Sequence, residues 1–160
     1  MTKDSSVRFG KRSEYFVISH MLQEGLDCYI PIVDDDGVDV VIRKDDNNFI
    51  MVQIKARSND VKDGNAALFS ALQHCQKREN YFFVFYSERM QKDSNKPFYW
   101  ILSSEEFLKE ARTNKSGKNK GKKCIKFNGN KKNPLTGQKE EYTKEQYLKY
   151  VYSDFNRLFK

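Results

Sequence analysis

The chain has 160 residues, of which 38% are hydrophobic and 32% are charged, and its formal net charge is +7. This length suits one domain, and 12 Phe and 9 Tyr supply large apolar side chains for a core. Three widely spaced cysteines exclude a disulfide framework and a zinc knuckle. No run approaches the roughly 20 apolar residues of a membrane span, and no apolar leader is visible. We therefore expect no membrane partner and a cytoplasmic location.

The positive charge is concentrated in one segment. Residues 112–132 contain nine of the 29 Lys and Arg and none of the 22 Asp and Glu, which leaves 20 basic against 22 acidic residues elsewhere. A concentrated basic segment is typical of a surface that binds a polyanion such as nucleic acid. A solvated, disordered loop has the same composition. Both interpretations stay open at this point.

The first half of the chain predicts a helix and three strands. Residues 1–9 are expected to fray, and Ser13 is expected to cap a helix over residues 14–24. Residues 28–33 predict a first strand, and the acidic residues after it predict a turn. Two β-branched runs, 37–42 and 49–55, then flank a short polar turn, which is a strong hairpin signal.

The second half predicts two helices, two strands and a final helix. Its elements are a polar loop over 57–64, a helix over 66–78, a buried strand over 81–86, a strand over 98–102, a short helix capped by Ser103 or Ser104, a turn at 133–137 and an amphipathic helix over 143–158. We predict one α/β domain over 1–160 with a mixed central sheet flanked by helices, and a basic loop or insertion at about 112–139.

Three polar residues interrupt the apolar pattern of the predicted hairpin. Alternation places Gln53 and Lys55 on one face of the second strand, and folding about the turn brings Asp39 beside Gln53. A register slip of one residue would turn them to opposite faces. Because buried polar groups cost free energy unless they are partnered, three of them together predict a functional site.

These residue types suit metal-assisted hydrolysis of a phosphodiester. The Asp39 carboxylate, the Gln53 amide oxygen and the Ile54 backbone carbonyl are oxygen ligands suited to Mg²⁺ or Mn²⁺. Such an ion neutralises phosphate charge and lowers the pKa of a bound water. Lys55 would stabilise the developing charge or orient the water. Glu14, one turn before Ile18 on the apolar stripe, could hold metal-bound waters, although the helix dipole also favours an acid there.

This arrangement resembles the PD-(D/E)XK nuclease superfamily and its restriction-endonuclease-like α-β-β-β-α-β core. The resemblance spans residues 8–105 in element order and is closest to the Mrr-like and Holliday-junction-resolvase-like branches. It implies a catalytic set of Glu14, Asp39, Gln53 and Lys55, with metal held by Asp39, Gln53, the Ile54 carbonyl and, through water, Glu14. Gln53 stands where many members carry an acid, which removes one negative charge and should weaken metal binding.

The resulting hypothesis is an endonuclease that acts on DNA rather than RNA. Basic side chains expected to contact phosphates are Lys11, Arg12, Arg57, Lys115, Lys118, Lys120, Lys122 and Lys123. A homodimer would supply two sites for cutting two strands, although no residue requires it. Two alternatives remain: a nucleic-acid-binding module with little catalysis on the same fold, and an accessory subunit whose basic segment contacts an acidic protein.

Other candidate residues have simpler explanations. Asp36 could replace Asp39 as the metal ligand, but turn propensity explains it adequately. His20 and His74 are single and distant in sequence, and we interpret both as structural or exposed. The aromatic run over 81–86 is interpreted as core rather than as a platform for base stacking.

Overall fold

The computed structural model describes residues 3–33, 36–91 and 95–159. Its helices are α1 (Lys3–Gln23), α2 (Ser104–Glu110) and α3 (Asn156–Phe159), with a 3-10 helix at Glu145–Tyr150. Its strands are β1 (Asp27–Tyr29), β2 (Val40–Asp45), β3 (Asn48–Arg57), β4 (Leu68–Leu72), β5 (Tyr81–Ser87), β6 (Tyr99–Ser103), β7 (Arg112–Thr113), β8 (Lys123–Lys126), β9 (Asn128–Lys132), β10 (Lys139–Thr143) and β11 (Val151–Tyr152). None of these helices is both long and apolar enough to cross a membrane.

Six strands form a central mixed sheet in the order β1-β2-β3-β5-β6-β11. β3 and β5 run parallel, and every other neighbouring pair in this sheet is antiparallel. One face packs against α1 through Val17, Ile18 and Met21, and the other face carries an aromatic cluster that includes Trp100 and Phe127. The predicted mixed sheet with helices beside it is therefore confirmed.

The predicted hairpin is confirmed, with its register. Val40 of β2 lies opposite Val52 of β3, and Asp45 lies opposite Asn48 across a two-residue turn. Ile50, Val52 and the other core-facing residues of β3 alternate with partly exposed ones, as expected for a strand with two different faces. The strand before it is shorter than the predicted 28–33. Pro31 lies just beyond its end, where proline cannot donate to the ladder, and residues 34–35 of the acidic turn lie outside the described residues.

The first helix begins much earlier than predicted. We expected fraying over residues 1–9 and a cap at Ser13, but α1 already contains residues 3–9, and Ser13 is buried inside it with only 3% of its surface exposed. A serine caps a helix only where the preceding chain leaves helical geometry. Here the preceding residues continue the helix, so Ser13 is an interior residue. Residues 1–2 lie outside the described part.

The helix predicted over 66–78 is wrong, so the expected α-β-β-β-α-β order fails at its second helix. β4 occupies residues 68–72 and pairs with β8, and residues 73–80 follow as irregular chain. Phe69 and Leu72 are buried, a three-residue spacing that fits either a helix or an irregular strand. Ala71 has φ 61°, which breaks both regular structures at that position. Pairing with β8 therefore makes residues 68–72 a strand rather than part of a helix.

The helix predicted over 143–158 is also wrong. A 3-10 helix, the short strand β11 and α3 replace it. Its apolar residues serve two cores, because Tyr147 and Tyr150 pack with the aromatic cluster whereas Phe155 and Leu158 pack on the α1 side. One straight helix could not place a single stripe on both faces of the sheet.

The basic segment is ordered. It forms β7, β8 and β9, and Ile125 and Phe127 bury their side chains in the aromatic core. The β9–β10 hairpin is fixed at its base by Glu141, whose Oε1 accepts from the Gly64 N–H at 2.7 Å and from the Asn128 Nδ2 at 3.1 Å. Of the two predicted caps of the short helix, Ser103 is the one that caps α2, and it forms a capping box with Glu106.

Candidate active site

Asp39 lies beside Gln53 and Ile54 at the open end of the β2–β3 hairpin. The Asp39 N–H donates to the Val52 carbonyl at 2.9 Å, just beyond the Val40–Val52 pair, which places Asp39 beside residues 52–54 of β3. Asp39 is 8% exposed, and its Oδ2 accepts from the Ile54 N–H at 2.6 Å. The backbone therefore fixes this carboxylate at the open end of the hairpin. Lys55 lies two residues after Gln53 in β3, on the same face of that strand.

Gln53 is held between β5 and the turn before β2. The Tyr81 hydroxyl lies 2.5 Å from the Gly37 carbonyl oxygen and 3.2 Å from the Gln53 Oε1. Gly37 has φ 64°, and a Cβ there would lie 3.2 Å from both the Gln53 Nε2 and the Tyr81 hydroxyl. A side chain at position 37 would be strained and would crowd both groups. The glycine thus permits the close contact of turn, amide and phenol.

An open cleft of about 750 Å³ lies in front of the face of β3 that carries Gln53 and Lys55. Gly37, Gln53 and Lys55 form one wall, and residues 71–78 form the other. Arg78 fixes the second wall. Its guanidinium lies 4.2 Å from the centre of the Tyr81 ring and donates to the Asp36 carbonyl oxygen at 2.8 Å. The segment that was predicted to be a helix is therefore the wall that faces the candidate catalytic residues.

His74 has a structural role in that wall. The Ser104 hydroxyl accepts from the Arg78 N–H at 2.9 Å and is hydrogen-bonded to the His74 Nε2 at 2.6 Å. Burial, and then the positive charge of Arg78, lower the pKa of His74. His20 bonds the Tyr99 hydroxyl on the opposite face of the sheet. Both histidines lie in structural contacts.

Glu14 lies apart from the other three predicted site residues. α1 packs on the face of β3 that carries Ile50, Val52 and Ile54, whereas Gln53 faces the cleft. In the described structure the Glu14 carboxylate pairs with Lys11 at 3.4 Å and makes no hydrogen bond or ion pair with Asp39, Gln53 or Lys55. The structure therefore brings three of the four together directly. A role for Glu14 through water stays a prediction.

The oxygen donors on this face fit a hard cation with few protein ligands. Within residues 3–33, 36–91 and 95–159 no three His, Cys, Asp or Glu side chains lie close enough to form a metal site by themselves. The Asp39 carboxylate, the Gln53 amide and backbone carbonyls would have to suffice. Mg²⁺ commonly keeps several waters and uses one or two carboxylates together with substrate phosphates. The donor set is compatible with that pattern.

The predicted phosphate-binding residues fall into two groups. Lys115, Lys118 and Lys120 are exposed on an ordered β7–β8 loop, and Lys122 and Lys123 are partly exposed beside it. Lys123 also donates to the Thr113 hydroxyl at 2.7 Å. The other three have partners elsewhere in the fold: Lys11 pairs with Glu14, Arg12 pairs with Glu88 at 3.7 Å, and Arg57 donates to the Asn65 carbonyl oxygen. The first group is therefore better placed for a nucleic-acid backbone.

A further concentration of positive charge lies beside that loop. Arg112 of β7 is paired with Cys124 of β8. Lys126 follows Cys124 by two residues in the same strand. The Lys144 N–H donates to the carbonyl oxygen of Phe127, the next residue along. Burial, and then the charges of Lys126 and Arg112, lower the pKa of Lys144. In the described structure none of these three cations has an ion pair with a carboxylate.

Sequence reasoning assigned no role to Tyr81, Arg78 or Gly37. Tyr81 begins an aromatic run that was interpreted as core, and it is 2% exposed, but its hydroxyl reaches the cleft. Arg78 was placed at the end of a helix that does not form. The available signal was the glycine after three aspartates, which marks a turn immediately before Asp39.

Comparison with known proteins indicates the fold. No family model matches this chain, and the search of curated proteins gave no match. Among solved structures the chain is similar to a bacterial homing endonuclease, I-Ssp6803I, with a TM-score of 0.58 and 15% sequence identity. The match covers 94% of this chain and 90% of that one. Identity this low shows a shared architecture, and function has to be argued from the site.

Proposed function

We propose that the chain is a metal-dependent endonuclease that hydrolyses DNA phosphodiester bonds with a site of the PD-(D/E)XK type. The observation that carries this proposal is that Asp39 is fixed to the Ile54 N–H between Gln53 and Lys55, the two residues of β3 that line an open cleft. The fold shared with a homing endonuclease supports it, since the same architecture there belongs to an enzyme described as an endonuclease. The exposed lysines of the β7–β8 loop supply a surface for phosphates.

The chain's own residues have separable parts in this proposal. Asp39 is fixed by the Ile54 N–H, so its carboxylate needs no reorganisation to hold a cation. Gln53 supplies an amide oxygen, and Lys55 places an ammonium group at the cleft wall, where charge develops on a phosphate. Bound Mg²⁺ or Mn²⁺ would neutralise phosphate charge and acidify an attacking water.

A plasmid assay tests the proposal. Supercoiled DNA should be nicked or linearised with Mg²⁺ or Mn²⁺ and left intact with EDTA. Lys55→Ala and Asp39→Asn should abolish cleavage, whereas Lys44→Ala, which removes an exposed lysine of β2 far along the strand from Asp39, should not. Cleavage that persists in Lys55→Ala, or that needs no metal, would refute the proposed site.

The second candidate is a DNA-binding module on the same fold. One observation favours it: Gln53 is neutral, so the cleft face offers one carboxylate where two would bind a cation more tightly. It predicts that the unaltered chain and Lys55→Ala shift DNA equally in a gel and that neither cuts it at any metal concentration.

A further inference from the structure

The Tyr81 hydroxyl faces two acceptors but carries one proton. The Gly37 carbonyl oxygen lies 2.5 Å away and the nearer terminal atom of the Gln53 amide lies 3.2 Å away. The shorter contact takes the proton, because hydrogen-bond strength falls as the distance grows. Tyr81 therefore turns its lone pairs, not its proton, toward the Gln53 amide.

A lone pair on Tyr81 requires an N–H from Gln53. The oxygen and nitrogen of a glutamine amide have nearly the same shape, and a half-turn exchanges their positions without moving other atoms. With the nitrogen toward Tyr81, the amide donates to the phenol oxygen and avoids an unfavourable contact between two oxygens. The amide oxygen then takes the position above Gly37, where the missing Cβ leaves room beside the cleft.

We propose that Tyr81 is the positioning residue that orients the Gln53 amide, with N–H toward the phenol and the oxygen presented to a bound divalent cation. This inference rests on the proposed function, since it explains how a neutral amide can serve as a metal ligand. A carboxylate offers an oxygen in either orientation, but an amide has only one. A site with Gln53 in place of an acid therefore needs a group that selects the orientation.

The surroundings of Tyr81 suit such a role. Its ring is 2% exposed, it begins the central strand β5, and it stacks on His74 with ring centres 5.1 Å apart. Arg78 covers the ring and holds Asp36, the residue before Gly37. The phenol oxygen, the Gly37 carbonyl and the cleft-facing amide are thus fixed by elements on both sides of the site.

Nuclear magnetic resonance tests the orientation in the metal-free protein. The Gln53 side-chain NH₂ protons, assigned by their loss in Gln53→Glu, should show nuclear Overhauser effects to the Tyr81 ring protons. In Tyr81→Phe, these amide protons should lose their preference for the position-81 ring. Effects to the Gly37 Hα protons without effects to the Tyr81 ring would overturn the proposal, whether or not the protein cuts DNA.

Cation binding tests the consequence through a double-mutant cycle. Mn²⁺ alone is titrated by calorimetry into the unaltered chain, Tyr81→Phe, Gln53→Glu and the double variant. Losing the orienting hydrogen bond should weaken Mn²⁺ binding about fivefold when Gln53 is present. In the Gln53→Glu background the same change should alter affinity less than about twofold, because a carboxylate needs no orientation.

The control and the outcomes separate this inference from the proposed function. Tyr99→Phe removes another buried hydroxyl, one that bonds His20 on the opposite face, and should leave Mn²⁺ affinity unchanged. An equal loss from Tyr81→Phe in both backgrounds would show a general structural role and overturn the inference while leaving the nuclease proposal intact. Absence of Mn²⁺ binding by the unaltered chain would overturn the inference, whereas the nuclease proposal is decided by the plasmid assay, in which substrate phosphates are present.

Discussion

Replacing Asp39 separates its structural from its chemical role. Asp39→Ala removes the acceptor of the Ile54 N–H, a 2.6 Å bond to a residue that is 5% exposed. Leaving a buried N–H unpaired costs about 1–3 kcal/mol. For a chain of this length, a loss of about 2 kcal/mol lowers the melting temperature by about 4–8 °C. Asp39→Asn keeps a side-chain oxygen that can accept this bond, so its melting temperature should fall by less than half as much.

Cleavage should respond in a different way from stability. Both variants remove the negative charge that would hold a cation, so both should lose at least about a hundredfold in the rate of plasmid cleavage. Calorimetry gives the melting temperatures, and an initial-rate assay at fixed Mg²⁺ gives the cleavage rates. An Asp39→Asn variant that keeps more than a tenth of the activity would refute the role of this carboxylate. Equal destabilisation by both variants would contradict the hydrogen-bond argument.

Three further predictions concern DNA binding, the β9–β10 hairpin and pH. Replacing Arg112 and Lys126 together with alanine should reduce the slope of log K against log salt for DNA by about 1.8, whereas Lys44→Ala should leave it unchanged. Glu141→Ala should lower the calorimetric melting temperature by more than about 5 °C, since it leaves the Gly64 N–H and the Asn128 amide without their acceptor. An unchanged melting temperature would contradict the role of Glu141 in fixing the hairpin. The pKa of His74 is lowered on folding, so as pH falls the unfolded chain takes up this proton before the folded chain does. The free energy of unfolding should therefore fall as pH drops below about 6.5. Melting curves of His74→Gln between pH 5 and 8 should show a weaker fall.

The sequence predicted five of the six strands of the central sheet, missed β11, and assigned two helices wrongly. The β2–β3 hairpin and β5 follow from alternation, turn residues and a continuous aromatic run, which are local signals. Residues 66–78 and 143–158 also have apolar spacing that suits a helix. Their actual form depends on partners distant in sequence: β8 for the first, and two separate cores for the second. Such tertiary choices override local propensity.

Part of the candidate site could be predicted from the sequence because its geometry depends on local signals. Gln53 and Lys55 share a face of β3 through strand alternation, and the register of the hairpin brings Asp39 beside them; both are set locally. The opposite wall of the cleft could not be predicted, because residues 71–78 form it and their secondary structure was predicted wrongly. Tyr81 was placed correctly in a buried strand, but a pattern of burial does not reveal where a single hydroxyl points.

The position of β3 within the sheet ties the site to the whole fold. Gln53 and Lys55 lie on a strand that is bonded on both sides, antiparallel to β2 and parallel to β5. Amides in such a strand exchange with solvent only through the largest opening events, those close to global unfolding. The amide protons of β3 should therefore be among the slowest to exchange with deuterium, and heat should abolish cleavage and unfold the chain together. Partial unfolding at α3 or the β9–β10 hairpin would leave this strand intact.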